Sequence, residues 1–258
     1  MTPAEFVKAV TLAYENDIGI FKNKVNAEDL IPHNASGKEK SLYLFYVIQL
    51  DYATRSQRLY DGAKRLFESE RNFFKPTYIL SLPQKKLEKY LTEYFRPRYI
   101  NEAVRRFRKN SQLLNDDYNS DPQNIFLKSK SASEVLKRVG EFRGFGPKIG
   151  NFFVRTMINT FDYKFSDVEE ILPPVDVWDV RIACLMGFVE SDKMSSVNIR
   201  TVKEVWSKAC RDAKVSWLTF DKALWLLGSE GRPKNGEEVL ELIHRNKNEM
   251  TLMSSHLS

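Results

Sequence analysis

Cysteine is nearly missing: Cys184 and Cys210 are the only two in 258 residues. Two thiols can build neither a disulfide framework nor a four-cysteine metal or iron–sulfur site. The three histidines, His33, His244 and His256, are scattered and carry no metal-ligand spacing. Eleven glycines and ten prolines are too few for a collagen-like, low-complexity or turn-dense all-β chain. No apolar run reaches the length of a membrane span, and residues 1–20 lack a signal-peptide pattern. These absences predict a soluble intracellular protein with no membrane partner, in the cytoplasm or nucleoid, or the nucleus of a eukaryote.

Apolar and charged side chains are abundant, at 42% and 29% of the chain. That is enough for a packed core in one large domain or two modest ones. Forty Lys and Arg face thirty-four Asp and Glu, and a net charge of +6 permits nucleic-acid binding without requiring it. Residues 85–110 hold nine basic and three acidic side chains, so this one segment equals the net charge of the whole. It reads either as a phosphate-contacting strip or as a solvated helix face.

Hydrophobic spacing is helical nearly throughout. Leu87, Tyr90, Leu91 and Tyr94 recur at i, i+3, i+4, i+7, as do Ile100, Ala103, Val104 and Phe107, with a break at Arg96-Pro97-Arg98 between them. Ser131 with Glu134 reads as a capping box opening a helix to about Val139, and Thr219 as a cap for the helix carrying Ala223, Leu224 and Leu227. Strand-like alternation is absent, so the predicted class is all-α, with roughly ten helices. Polar stretches at 114–130 and 162–174 read as loops. They divide the chain into a central helical lobe, 41–161, and a second lobe made from 1–40 plus 162–258, with a cleft expected between the lobes.

The most informative segment is Phe142-Arg143-Gly144-Phe145-Gly146-Pro147-Lys148-Ile149-Gly150, set between a helix ending near 140 and an amphipathic helix to 160. Gly144 and Gly146 permit positive φ and leave the backbone bare, and Pro147 suits the first position of a helix. Such a turn presents backbone N–H groups at a helix N-terminus, an anion site that ignores base sequence. It also reads, more plainly, as a tight helix–helix turn. Asp176, following Pro173-Pro174-Val175, is a natural N-cap for the helix after it. A carboxylate fixed there is also preorganised for electrostatic work, and Asp179 is an alternative for that role.

These residues carry a family resemblance. Residues 142–150 resemble the helix–hairpin–helix of DNA glycosylases (131–160 with its flanking helices), and Leu172-Pro173-Pro174-Val175-Asp176-Val177-Trp178 resembles the Pro-rich loop and aspartate of that superfamily. Pro-Val-Asp-Val is similar to the 8-oxoguanine glycosylases. Trp206 and Leu218-Thr-Phe-Asp221-Lys-Ala-Leu-Trp225-Leu-Leu-Gly228 resemble the archaeal GO type. The likeness covers about residues 40–230. Phe142-Arg143 stands where Leu-Pro is common, Gly150 where Ala is usual, and 28 residues separate Lys148 from Asp176, longer than in the shorter branches. The two cysteines exclude the iron–sulfur branch. With few residues before the helical core, the extra β-domain of the eukaryotic enzymes is not expected.

The resemblance implies a bifunctional glycosylase and AP lyase acting on damaged DNA, duplex and also single-stranded, as a monomer without cofactor. It leaves open a monovalent cation at the hairpin carbonyls. Lys148 would attack C1′ of a flipped nucleotide, and Asp176 would help deprotonate it and stabilise the cationic sugar. The hairpin residues Gly144, Gly146, Lys148 and Gly150 would hold the DNA backbone. Phe152, Asp221 and Trp225 would form the base pocket, although aromatic residues at helical spacing also read as core. Gln49, Asp51, Tyr52 and Arg55, within 49–57, are candidates to fill the gap left by the base. Oxidised guanine is the implied lesion. An alkylated or deaminated base, and a non-catalytic binding module whose Lys148 only pairs with phosphate, remain alternatives.

Overall fold

The computed structural model describes residues 1–51, 56–171 and 173–244. Thirteen α-helices, three 3₁₀ turns and one π-helical turn make up the regular structure among the described residues, and none of these helices is long and apolar enough to cross a membrane. The chain forms two compact units, one from residues 27–171 and one from 1–26 with 172–258.

In the first unit the helix Gly37–Ile48 is buried without interruption from Ser41 to Ile48. Its start is fixed by a reciprocal cap, Ser36 Oγ accepting the Glu39 N–H and the Glu39 carboxylate accepting the Ser36 N–H. The helix Ile100–Tyr118 turns Ala103, Val104, Phe107 and Leu114 inward. It begins after a π turn at Leu91–Phe95 that Arg96 closes with φ +48°. Part of the basic segment is structural. Arg108 donates to the carbonyls of Ile79, Leu80 and Leu82, and Arg106 to the carbonyl of Gln49 at 3.0 Å. Lys85, Lys86, Lys89, Arg96, Arg98, Arg105 and Lys109 are exposed.

The expected loop at 114–130 is instead largely helical. Leu114 and Tyr118, one turn apart, extend the long helix to Tyr118, and Ile125 with Phe126 bury a further short helix, Gln123–Leu127. The unit also reaches beyond the expected 41–161. Arg71 reaches back to the Glu39 carboxylate at 2.5 Å and the Asn34 carbonyl at 2.8 Å, which draws in the residues before 41. Beyond 161, Tyr163 stacks on Phe126 at 4.7 Å, and the Asp167 carboxylate accepts the N–H groups of Ala132 and Ser133 at 2.7 and 2.9 Å.

The second unit joins both ends of the chain. The helix Pro3–Glu15, opened by a Thr2–Glu5 capping box, packs on Ser196–Ala213 and Trp217–Ser229. Phe6, Phe188, Trp206 and Phe220 interlock there, with Phe6 and Trp206 ring centroids 5.9 Å apart and Trp206 and Phe220 5.2 Å apart. Ser216, not Thr219, caps Trp217–Ser229: its Oγ accepts the Leu218 N–H, and Thr219 lies within the first turn.

Candidate active site

The hairpin is anchored by aromatic side chains. Phe142 and Phe145 are buried against Phe45, at 5.1 and 5.2 Å between centroids, and Phe153 packs 5.3 Å from Phe145. Phe142 thus does the burying that a leucine would do. With Phe145 turned in, Gly146, Pro147 and Lys148 are left exposed at the start of the helix Pro147–Phe161, where no side chain caps the first turn. Those first N–H groups are the donors a helix cannot satisfy itself, and the helix dipole adds positive potential to them.

The glycines divide by function. Gly144 has φ +88°, a conformation that demands glycine, and a Cβ there would also press on the Arg106 side chain, 2.8 Å from its Nε. Gly146 has φ −68° with open space around it, so its bareness comes from the missing side chain and not from a special dihedral. Gly150, expected at the DNA backbone, is buried, and its N–H donates to the Gly146 carbonyl at 2.7 Å. A Cβ there would stand 3.2 Å from the Phe145 carbonyl, so Gly150 serves helix packing under the turn.

A polar network that the sequence reading missed holds the turn from below. Asn110 is 1% exposed. Its Nδ2 donates to Gln49 Oε1 at 2.9 Å and to the Arg143 carbonyl at 3.0 Å, and its Oδ1 accepts the Arg143 N–H at 2.8 Å. The available signal was a pair of polar residues, Asn110 and Ser111, on the apolar face of a helix. The Arg143 guanidinium meets Glu102 in a two-pronged pair at 2.8 and 2.9 Å. A groove of ≈ 770 Å³ runs beside the turn, lined by Lys109, Gln112, Asp116, Glu141, Arg143 and Gly144 among others. Gln49, a candidate for filling the gap in DNA, is fully buried in this network and is removed from that role. Asp51 accepts from Ser56 Oγ at 3.0 Å and Tyr60 Oη at 2.8 Å. Tyr52 and Arg55 lie outside the described residues.

Phe152 sits one turn after Lys148 and is half-buried, with the Arg155 guanidinium 4.9 Å from its ring centroid. Arg155 is 2% exposed and lies 3.7 Å from the Glu28 carboxylate.

In the second unit the buried Pro173-Pro174-Val175 run leads into the helix Val177–Leu185. Asp176 is its N-cap: Oδ1 accepts the Trp178 N–H at 2.7 Å and the Asp179 N–H at 3.4 Å. Asp179 returns the bond, Oδ2 accepting the Asp176 N–H at 2.8 Å. Burial first, then the charges of Asp176 and Asp221, push the Asp179 carboxyl well above the usual carboxylate range. Asp221 is buried and Trp225 half-buried on Trp217–Ser229. Trp178 lies against Gly228, where a Cβ would come within 2.5 Å of it, and the Arg181 guanidinium stands 5.5 Å from its ring. The predicted residues therefore gather in two sets, Lys148 with Phe152 on one helix, and Asp176 with Asp221 and Trp225 in the other unit. Among the described residues no group of three or more His, Cys, Asp or Glu is arranged to hold a metal ion.

No family model matches the sequence, and no curated protein sequence is significantly similar to it. Solved structures do match. An endonuclease III–DNA complex trapped as a covalent intermediate aligns with TM-score 0.56 and 16% identity over 87% of this chain and 86% of that one. A non-covalent endonuclease III–DNA complex aligns with TM-score 0.56 and 17% identity over the same shares. The 8-oxoguanine DNA glycosylase Pa-AGOG from Pyrobaculum aerophilum, complexed with 8-oxoguanosine, aligns with TM-score 0.59 and 16% identity over 93% of this chain and 94% of that one. The chain has the helix–hairpin–helix DNA glycosylase fold. The hairpin is the part of it whose local chemistry reads directly from nine residues.

Proposed function

We infer that the protein is a DNA glycosylase with AP-lyase activity that releases an oxidised purine, foremost 8-oxoguanine, from damaged DNA. The observation that carries this reading is the position of Lys148, an exposed amine in the first turn of an uncapped helix, on a turn whose glycines leave the backbone bare. The N–H groups of that turn suit phosphate, and they grip backbone without reading bases. The fold shared with an 8-oxoguanine glycosylase and with DNA-bound endonuclease III supports the same class of reaction.

The reaction would run as follows. The neutral Lys148 amine attacks C1′ as the C1′–N bond breaks, and the electron pair leaves with the base. Asp176, held at its helix start, takes a proton from the lysine nitrogen and stabilises positive charge on the sugar. The C1′–O4′ bond then opens, O4′ taking a proton, to give the Schiff base; loss of a C2′ proton expels the 3′ phosphate by β-elimination, and water releases the lysine. Phe152 and Trp225 would stack on the extruded base, and Asp221 would accept from its N–H edge. No metal or redox group enters any step, and the substrate is damaged DNA, duplex or single-stranded, bound by a monomer.

Base release tests the reading. The purified protein is incubated with duplex and single-stranded oligonucleotides carrying 8-oxoguanine, an alkylated purine or a deaminated base. Release of 8-oxoguanine with strand nicking is expected. Release of another base alone replaces the lesion, and DNA binding with no release from any substrate overturns the enzymatic reading.

A further inference from the structure

We propose that Asp179 is a positioning residue for the candidate reaction: it fixes the Asp176 carboxylate by holding the Asp176 backbone N–H. This rests on the glycosylase reading above. Asp179 is 5% exposed, and its Oδ2 is 2.8 Å from the Asp176 nitrogen. Asp176 in return accepts the N–H groups of Trp178 and Asp179, so both carboxyl groups are turned onto one helix start.

A cap alone does not explain an acid at this position. A reciprocal cap needs only an acceptor three residues into the helix, which glutamine or an exposed glutamate supplies. Here the acceptor is a fully buried carboxyl beside a second carboxylate, with Asp221 of Trp217–Ser229 adding a third negative charge. Burial and these negative neighbours raise the Asp179 carboxyl well above the usual carboxylate range. Burial thus favours the protonated form of Asp179, the more deeply placed of the two.

The other groups nearby do not cancel this. Arg181, on the same helix, stacks on Trp178, and Lys222, next to Asp221, lies over the Tyr14 ring. On Ser196–Ala213, which packs against the same helix, Lys203 is half-buried and its pKa is lowered by burial. On Gly236–Ile243, which also packs there, Glu238 is taken by the Lys234 and Asn235 side of its own helix start. By holding the backbone at the helix start, Asp179 keeps the Asp176 carboxylate oriented toward a cationic sugar.

Two measurements test this, one of them independent of activity. Carbon-13 NMR of aspartate-labelled protein should show one carboxyl titrating far above the rest. It should vanish in Asp179→Asn and move down toward the ordinary range in Asp176→Asn. A midpoint that Asp176→Asn leaves unmoved overturns the pairing of Asp179 with Asp176. In single-turnover borohydride trapping on 8-oxoguanine duplex, Asp179→Asn keeps both the acceptor and a donor. Its rate should stay within about threefold of wild type. Asp179→Ala should trap about tenfold more slowly or worse, with DNA affinity unchanged. A wild-type rate in Asp179→Ala, or loss in a folded Asp179→Asn equal to that in Asp179→Ala, overturns the proposal. An inactive wild type with the NMR coupling intact overturns the glycosylase reading itself, and the positioning role with it.

Discussion

Replacing Asn110 with alanine should loosen the hairpin from behind. The wild-type amide makes three hydrogen bonds within a site that is 1% exposed. Its loss strands Gln49 Oε1 inside the core, at a cost of about 1–3 kcal/mol for an unsatisfied buried acceptor. The Arg143 N–H and carbonyl lose a partner as well, but both are only partly buried and water can replace much of that. With the small void left by truncation, the total comes to about 3 kcal/mol. For a chain of this size each kcal/mol lowers the melting temperature by about 2–4 °C, so a drop of about 6–12 °C is expected in a thermal scan. Affinity for a DNA duplex, measured by fluorescence anisotropy at fixed salt, should fall about tenfold, because the Arg143 peptide no longer fixes the turn. A melting temperature within about 2 °C of wild type, with unchanged affinity, would refute the reasoning.

Other perturbations probe separate parts of the structure. Gly144→Ala places a Cβ 2.8 Å from Arg106 Nε at φ +88°, and should weaken DNA binding while costing about 1–3 kcal/mol, read by denaturant unfolding. Gly228→Ala puts a methyl 2.5 Å from Trp178 Cβ, so tryptophan fluorescence should shift and thermal stability fall. The Arg71 guanidinium holds the Glu39 carboxyl down to about 2 from 4.5, and Arg143, helped by Arg106, does the same to Glu102. Folded values below unfolded ones mean that this stabilisation is complete above pH 4.5 and disappears as pH falls toward 2. Glu39→Gln should therefore be less stable than wild type at pH 7 and lose less between pH 5 and 2, as followed by circular dichroism.

Sequence and structure agree most closely where the determinants are local. The hairpin needed only Gly144, Pro147 and Lys148 to be legible, because turn geometry and helix starts depend on a few consecutive residues. Asp176 was equally readable as a cap. The stretch at 114–130 was misread because its polar composition concealed Leu114, Tyr118, Ile125 and Phe126, four apolar anchors at helical spacing. Treating the hairpin glycines as one class hid the difference between Gly144, which needs its dihedral, Gly146, which needs only bareness, and Gly150, which packs. Partners distant in sequence were out of reach: Asn110 finds Gln49 sixty-one residues away, and Asp221 acts on Asp179 from another helix. Long-range ion pairs and caps, Arg71 to Glu39 and Asp167 to Ala132, likewise set the limits of the first unit where composition could not.

Peptide mapping of a borohydride-trapped complex addresses the central claim most directly. Wild-type protein is reacted with 8-oxoguanine duplex in borohydride, digested with protease and nuclease, and the peptide carrying the reduced sugar is identified by mass. The adduct is expected on Lys148, and Lys148→Gln should form none while still binding the duplex. An adduct on a different lysine, or undiminished trapping in Lys148→Gln, would contradict it.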